Sequence, residues 1–215
     1  MKIKIVLILL LLISSERIFS QEKSESNGEI IIEVPENGKI ENGTYICNRF
    51  DWKIEIPIGY EITSIKRVEE LEKKGYEAIK NELPNGTNVR QNRPHLIGFG
   101  IDKRNNFSSS FETLEGTKKM TLEENRDFLA VLLSDTYSKI EALKFELNKS
   151  DLKIGKYDFY KIQVKLYNAK TDELLLTQDL YNCFMQNNLF SASLNYTSED
   201  VRKLLTENFI KSLSK

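Results

Sequence analysis

The chemistry that this chain could carry is limited first by its single histidine. His95 alone excludes a multi-histidine metal site and any pair of histidines working as acid and base. A Cys–His nucleophile pair would need Cys47 or Cys183, and both cysteines sit in strand-prone segments without a nucleophile motif. His95 therefore reads as an ordinary residue opening a strand. No Gly-x-Ser-x-Gly elbow occurs. Gly98-Phe99-Gly100 lacks the third glycine of a phosphate-binding loop. Asp102, Asn105 and Asn106 offer oxygen ligands, but the Asp, Gly and Glu offsets of an EF-hand are missing, so a polar turn is expected. The many carboxylates leave a two-carboxylate hydrolase open on spacing alone, while the charges over 61–82 and 118–127 suit solvated helix faces. No catalytic, metal or cofactor-binding residue is assigned, and no cofactor is expected.

Two side-chain groups remain. Cys47 and Cys183 permit one intramolecular disulfide, or else stand as two separate half-buried thiols. Tyr157, Phe159 and Tyr167 alternate on the face opposite Tyr160, Ile162, Val164 and Leu166. In a sheet covered on both sides they form a second core layer; on an open sheet they form an aromatic patch for a partner.

The elements that would position these residues follow an address label. Lys2 and Lys4 precede an apolar run from Ile5 to Ile13, which Glu16-Arg17 interrupts before Ser20-Gln21. That order predicts a signal peptide over 1–20 and an exported product, periplasmic or secreted. The run is too short for a span of roughly 20 apolar residues, so no stable membrane span is expected after cleavage. The whole chain has a formal net charge of −1, and without 1–20 a slight acidic excess, which argues against a nucleic-acid partner.

Residues 21–44 read as a flexible leader with a short β-prone run, Ile30 to Val34, and turn signals at Asn37-Gly38 and Asn42-Gly43. The domain is placed over 45–215. Phe50, Trp52, Ile54 and Ile56 alternate with polar residues as a strand ended by Pro57. Helical spacing follows from Ser64 through Val68, Leu71, Tyr76 and Ile79. Strands are expected over 95–102, with Ile97, Phe99 and Ile101 on one face, and over 108–114. Thr121-Leu122-Glu123-Glu124 is a capping box that predicts a helix over 122–142. A three-stranded meander around 160–166, 174–185 and 189–196 comes next. A final helix from Glu199, capped by Ser198, turns Val201, Leu204, Leu205 and Phe209 to the core. The class is α+β: a central antiparallel β-sheet with helices packed on it.

This layout resembles the PsbP-like family, whose fold is shared with the nuclear Ran-release factors of the Mog type. The residues that carry the resemblance are Phe50-Asp51-Trp52-Lys53-Ile54-Glu55-Ile56-Pro57 with Gly59-Tyr60, Asn105-Asn106-Phe107, Ile154-Gly155-Lys156-Tyr157 and the Ser-Leu-Ser-Lys tail at 212–215. The resemblance implies an α/β/α sandwich and relatives that act mainly by binding: extrinsic photosystem subunits and binders of a small GTPase. It carries no functional residue across, and fold alone does not fix function. The expectation is an exported, non-enzymatic accessory protein that binds a partner protein of the cell envelope. A carrier for a small molecule or lipid is the alternative, and a paired-carboxylate hydrolase the third reading.

Overall fold

A computed structural model describes residues 4–5, 37–64, 66–68, 70, 73, 88–89, 94–114 and 120–214. The strands are β1 (Lys4–Ile5), β2 (Gly38–Glu41), β3 (Thr44–Cys47), β4 (Lys53–Glu55), β5 (Glu61–Ile62), β6 (Asn88–Val89), β7 (His95–Gly100) and β8 (Asn106–Thr113). Helix α1 (Leu122–Ser138) follows, then β9 (Leu143–Ile154), β10 (Tyr157–Asn168), β11 (Leu174–Met185), β12 (Asn188–Tyr196) and α2 (Glu199–Leu213).

A seven-stranded sheet, ordered β5-β7-β8-β12-β11-β10-β9, is antiparallel at every pairing. It is built by short connections, which antiparallel neighbours allow. The β11–β12 turn places Gln186 and Asn187 both at positive φ, the geometry that matches strand twist in a two-residue hairpin. The same device, at Asn42 and Gly43, joins β2 to β3, and β4 completes a separate three-stranded sheet. Pairing in this small sheet begins at Gly38, ahead of the Tyr45 boundary. Gly38 is needed there because a Cβ would lie 2.4 Å from the Tyr45 ring.

Each face of the large sheet has its own core. On one, here the α2 face, Phe107, Phe159, Tyr181 and Phe190 meet Phe209 of α2 and Trp52 of the small sheet. Trp52 Nε1 donates to Ser212 Oγ at 3.0 Å, and Lys211 bridges to Glu55 at 3.1 Å, so the small sheet and α2 are held as one layer. On the other, the α1 face, Leu129, Leu133 and Tyr137 pack on Tyr160, Ile162, Val164, Leu166, Leu176 and Leu180. The arrangement is the expected α+β class, a central antiparallel sheet with a helix on either side.

Several expectations need correction. The helix over 122–142 stops at Ser138, because Leu143, Phe145 and Leu147 alternate towards α1 and prolong the sheet instead. The meander therefore has four strands, with β9 as its edge. Ile101 lies beyond the end of β7 and is 48% exposed, and Leu204 faces outward at 45%. The α1 cap is as expected, with Glu124 N on Thr121 Oγ1 at 3.1 Å and Thr121 N on Glu124 Oε2 at 2.8 Å. Ser64 likewise accepts from Arg67 N at 3.3 Å at the start of a helical turn. Leu71, Tyr76 and Ile79 lie outside the described residues.

The signal segment and the Ile30–Val34 run also lie outside them, apart from Lys4–Ile5, which pairs in parallel with β6 in a small sheet of its own. Among the described residues, no helix is long and apolar enough to cross a membrane.

Candidate functional site

Strand periodicity separates the two faces of β8, β11 and β12. On β12, Phe190, Ala192 and Leu194 enter the α2-face core. Leu189, Ser191, Ser193 and Asn195 point the other way, yet all nine residues of this strand are buried. On β11 the same α1 face carries Gln178, Leu180, Asn182 and Phe184, and on β8 it carries Asn106, Ser108, Ser110 and Glu112.

Register aligns these residues in rows. Ser110 stands opposite Ser191, which stands opposite Asn182, which stands opposite Tyr160 on β10. One row along, Glu112 faces Leu189 and Leu189 faces Phe184. In the other direction come Ser108, Ser193 and Leu180, then Asn106, Asn195 and Gln178. The result is a band of hydroxyls and amides across an otherwise apolar sheet.

Part of the band is internally satisfied. Ser191 Oγ donates to Asn182 Oδ1 at 2.7 Å, Gln178 Nε2 to Asn195 Oδ1 at 3.0 Å, and Asn195 Nδ2 to Asn106 Oδ1 at 2.9 Å. Tyr160 donates its hydroxyl to Asn125 of α1. Other polar atoms are enclosed without a partner: Asn182 Nδ2, Gln178 Oε1, Glu112 Oε2 and His95 Nε2. Asn182 is 0% exposed, Gln178 1% and Glu112 5%. Such atoms ordinarily find partners, and each orphan costs about 1–3 kcal/mol. Four of them on one face of one sheet is an arrangement that folding alone does not favour.

His95 joins the band at its β7 end, opposite Ser110. Burial lowers its pKa to about 4, so the imidazole is neutral at pH 7. Nearby, Gly98 leaves room above β7 for Thr63 Oγ1, which would lie 3.1 Å from a Cβ there. The band reaches solvent at its rim. Ser108, Ser110 and His95 are only partly buried, and Phe184 is 38% exposed.

The other sequence-derived candidates fall elsewhere. Cys47 and Cys183 are both buried and free in the structure. They belong to the α2-face core, across the sheet from the His95 imidazole, and burial raises the Cys183 thiol pKa. Phe159 is 1% exposed within that core and Tyr157 packs against it, while Tyr167 lies apart at the far end of β10. The three do not form one open patch. Asp102 accepts from Arg104 N at 2.7 Å, Asn105 N at 2.9 Å and Asn105 Nδ2 at 2.8 Å, closing a polar turn. Among the described residues, no group of three or more His, Cys, Asp or Glu is placed to hold a metal ion.

Two further polar features are self-contained. Asp179, buried on the α2 face, accepts from Gln163 Nε2 at 2.9 Å and Tyr196 Oη at 3.1 Å. A depression of about 110 Å³ between β4 and α2 is lined by Lys53, Glu55, Asn208 and Lys211, with the Glu55–Lys211 ion pair across it.

Sequence reading missed Ser191, Asn182, Gln178, Ser110, Glu112 and Phe184. A signal was present: the polar positions of β8 and β12 are Ser, Asn and Thr with Glu112 as the one charge, whereas the exposed positions of β9 carry Lys144, Glu146, Lys149, Asp151 and Lys153 beside Asn148 and Ser150. Uncharged polar residues at alternate positions on neighbouring strands mark a polar face that is not simply facing water.

No protein-family model matches the chain, and no curated protein matches it. Among solved structures, the chain is similar to the solution structure of cyanobacterial PsbP (CyanoP) from Synechocystis sp. PCC 6803, at 12% identity and a TM-score of 0.49, covering 80% of this chain and 88% of that one. That structure carries the name of the family the sequence layout resembles.

Proposed function

We propose that this protein is a non-enzymatic binding protein that holds a small, uncharged polar molecule on the α1 face of its sheet. One observation carries the reading: four enclosed polar atoms, on Asn182, Gln178, Glu112 and His95, lack partners on a single face. These atoms are closed to solvent in the free protein, so a ligand would enter at the half-buried rim of Ser108 and Ser110, displace what covers them and recover the cost of their missing hydrogen bonds. The mixture of amide, hydroxyl and one carboxylate suits a ligand that both donates and accepts. It suits a lipid tail poorly, which would leave the same atoms unpaired.

The leader expected over 1–20 would place this binding outside the cytoplasm. Intact mass of the exported protein, with a chain beginning at Gln21, checks that part of the reading.

Native mass spectrometry of the full protein purified from its own source tests the binding function. The expected result is a small mass retained in gentle conditions and released on denaturation. Identical native and denatured masses, together with an unchanged thermal midpoint on adding a small-molecule extract of the source, would overturn it.

A further inference from the structure

We propose that the free edge of β9 pairs with the same edge of a second copy of this chain. The two strands run antiparallel across a two-fold axis through Phe145 and join two sheets into one. This edge is separate from the polar band, and the proposal does not depend on it.

β9 ends the seven-stranded sheet and pairs only with β10. Its register runs through all 12 residues without a bulge, and the strand contains no proline. Alternate residues therefore turn N–H and C=O away from β10. Among the described residues, no strand takes these groups up. A long, regular edge of this kind is a template for another strand. The opposite edge, β5, is 2 residues long and offers nothing comparable.

The side chains select the occupant. A two-fold axis normal to the sheet brings like faces together, so residues directly opposite share a face and the axis meets one residue and its copy. Axes through Lys144, Glu146, Lys149, Asp151 or Lys153 would set a charge against itself. Axes through Leu147 or Asn148 would set Phe145 or Leu147 against Lys149. The axis through Phe145 matches type with type. It sets Phe145 against its copy, Leu143 against Leu147, and Lys144 against Glu146, the last two pairs each occurring twice by symmetry.

Both faces of this register have room for a partner. Leu143, Phe145 and Leu147 are only half-buried by α1. Lys144 and Glu146 remain 56% and 57% exposed at the side chain although Asp172 and Lys165 lie beside them. Axes through Ser150 or Leu152 also bring opposite charges together, but both use Asp151, which Arg126 of α1 already holds at 2.6 and 2.7 Å. They also set Leu147 against Lys153, or Ser150 against Ile154. The Phe145 register pairs only residues 143–147 of each copy, and an interface that small makes a reversible dimer.

Sedimentation velocity of the full chain, over a concentration series rising to the millimolar range, tests the proposal. A reversible monomer–dimer equilibrium is expected. Lys144→Glu or Glu146→Lys alone sets like charges opposite each other on both sides of the axis and should weaken the dimer roughly tenfold or more. Combining the two substitutions restores opposite charges, and the dissociation constant should return to within about threefold of the starting protein. Lys153→Glu, outside the paired stretch, should leave it unchanged. Circular dichroism confirms that each variant is folded. A monomer at every concentration would overturn the proposal. So would a dimer that both single reversals leave intact, or one that they weaken and the combined variant does not restore. A dimer weakened by Lys153→Glu instead would place the axis elsewhere and overturn the Phe145 register.

Discussion

Replacing Asn182 by Leu together with Ser191 by Ala should make the protein more stable and unable to bind. Asn182 makes one side-chain hydrogen bond, with Ser191 Oγ at 2.7 Å, and leaves its Nδ2 enclosed and unpartnered at 0% exposure. The lost pair is worth about 1 kcal/mol net, and the relieved orphan returns about 1–3 kcal/mol. Burying a leucine side chain contributes about 1.5–3 kcal/mol, offset by about 1 kcal/mol for its extra bulk. The balance is a gain of about 2 kcal/mol, which for a chain of this size raises the thermal midpoint by about 4–8 °C. Thermal unfolding followed by circular dichroism, with urea titration to check that the m-value is unchanged, measures it. The double variant should also lose the mass that the native protein retains. A loss of more than about 1 kcal/mol would refute the reasoning, since it would mean that the amide is a satisfied structural group.

Gly155 sits at φ 57° in the β9–β10 turn, and a Cβ there would lie 2.1 Å from the Leu213 carbonyl at the end of α2. Gly155→Ala should therefore cost about 3 kcal/mol, lowering the midpoint by about 6–12 °C, and a change below about 1 kcal/mol would contradict the close approach. His95, whose pKa burial depresses from 6.5 to about 4, binds a proton more readily unfolded than folded. Its contribution is intact above pH 6.5 and is lost as pH falls to about 4, about 3 kcal/mol in all. Urea midpoints of native protein and His95→Gln should accordingly converge between pH 7 and pH 4, and parallel profiles would refute this. Cys47 and Cys183 should resist a thiol reagent in the native protein and both react in denaturant, whereas no reaction in denaturant would show a bridge.

Much of the fold was legible where a local rule and the tertiary structure agree. The Thr121 capping box, the Asn42-Gly43 hairpin and the alternation through Phe50, Trp52 and Ile54 each satisfy backbone donors or bury side chains within a few residues. The errors arose where two periods competed. Over 139–147 the apolar positions fit an extension of α1, but Leu143, Phe145 and Leu147 also fit a strand, and twelve residues of pairing with β10 decide it. Leu204 was misassigned because α2 buries a narrower stripe, through Leu205, Phe209 and Leu213, than its apolar residues suggested.

The candidate site was less legible, for a physical reason. Period-2 alternation assigns Ser191, Ser193 and Asn195 to the face opposite the Phe190 core, and a polar face is ordinarily a wet one. Only the third dimension shows that Asn182 and Gln178 are enclosed and that their partners run out. His95 was singled out as the lone histidine, yet its place at the end of the band depends on a register shift between His95 and Ile97 that spacing does not reveal. Phe159 was grouped with Tyr157 and Tyr167 by alternation, but only Phe159 is fully buried in the α2-face core, and the same face of β10 is half-buried from Lys161 to Tyr167.

Where a ligand touches the sheet decides whether the polar band is a binding surface. Backbone amide shifts of the isotopically labelled full chain should be recorded before and after adding the small-molecule fraction released from denatured source protein. The largest changes are expected at Ser110, Glu112, Asn182, Phe184 and Ser191, with little change at Phe159, Tyr181 and Phe209 on the opposite face. Changes centred on that opposite face, or none at a saturating concentration of the fraction, would contradict the claim that the polar band is the binding surface.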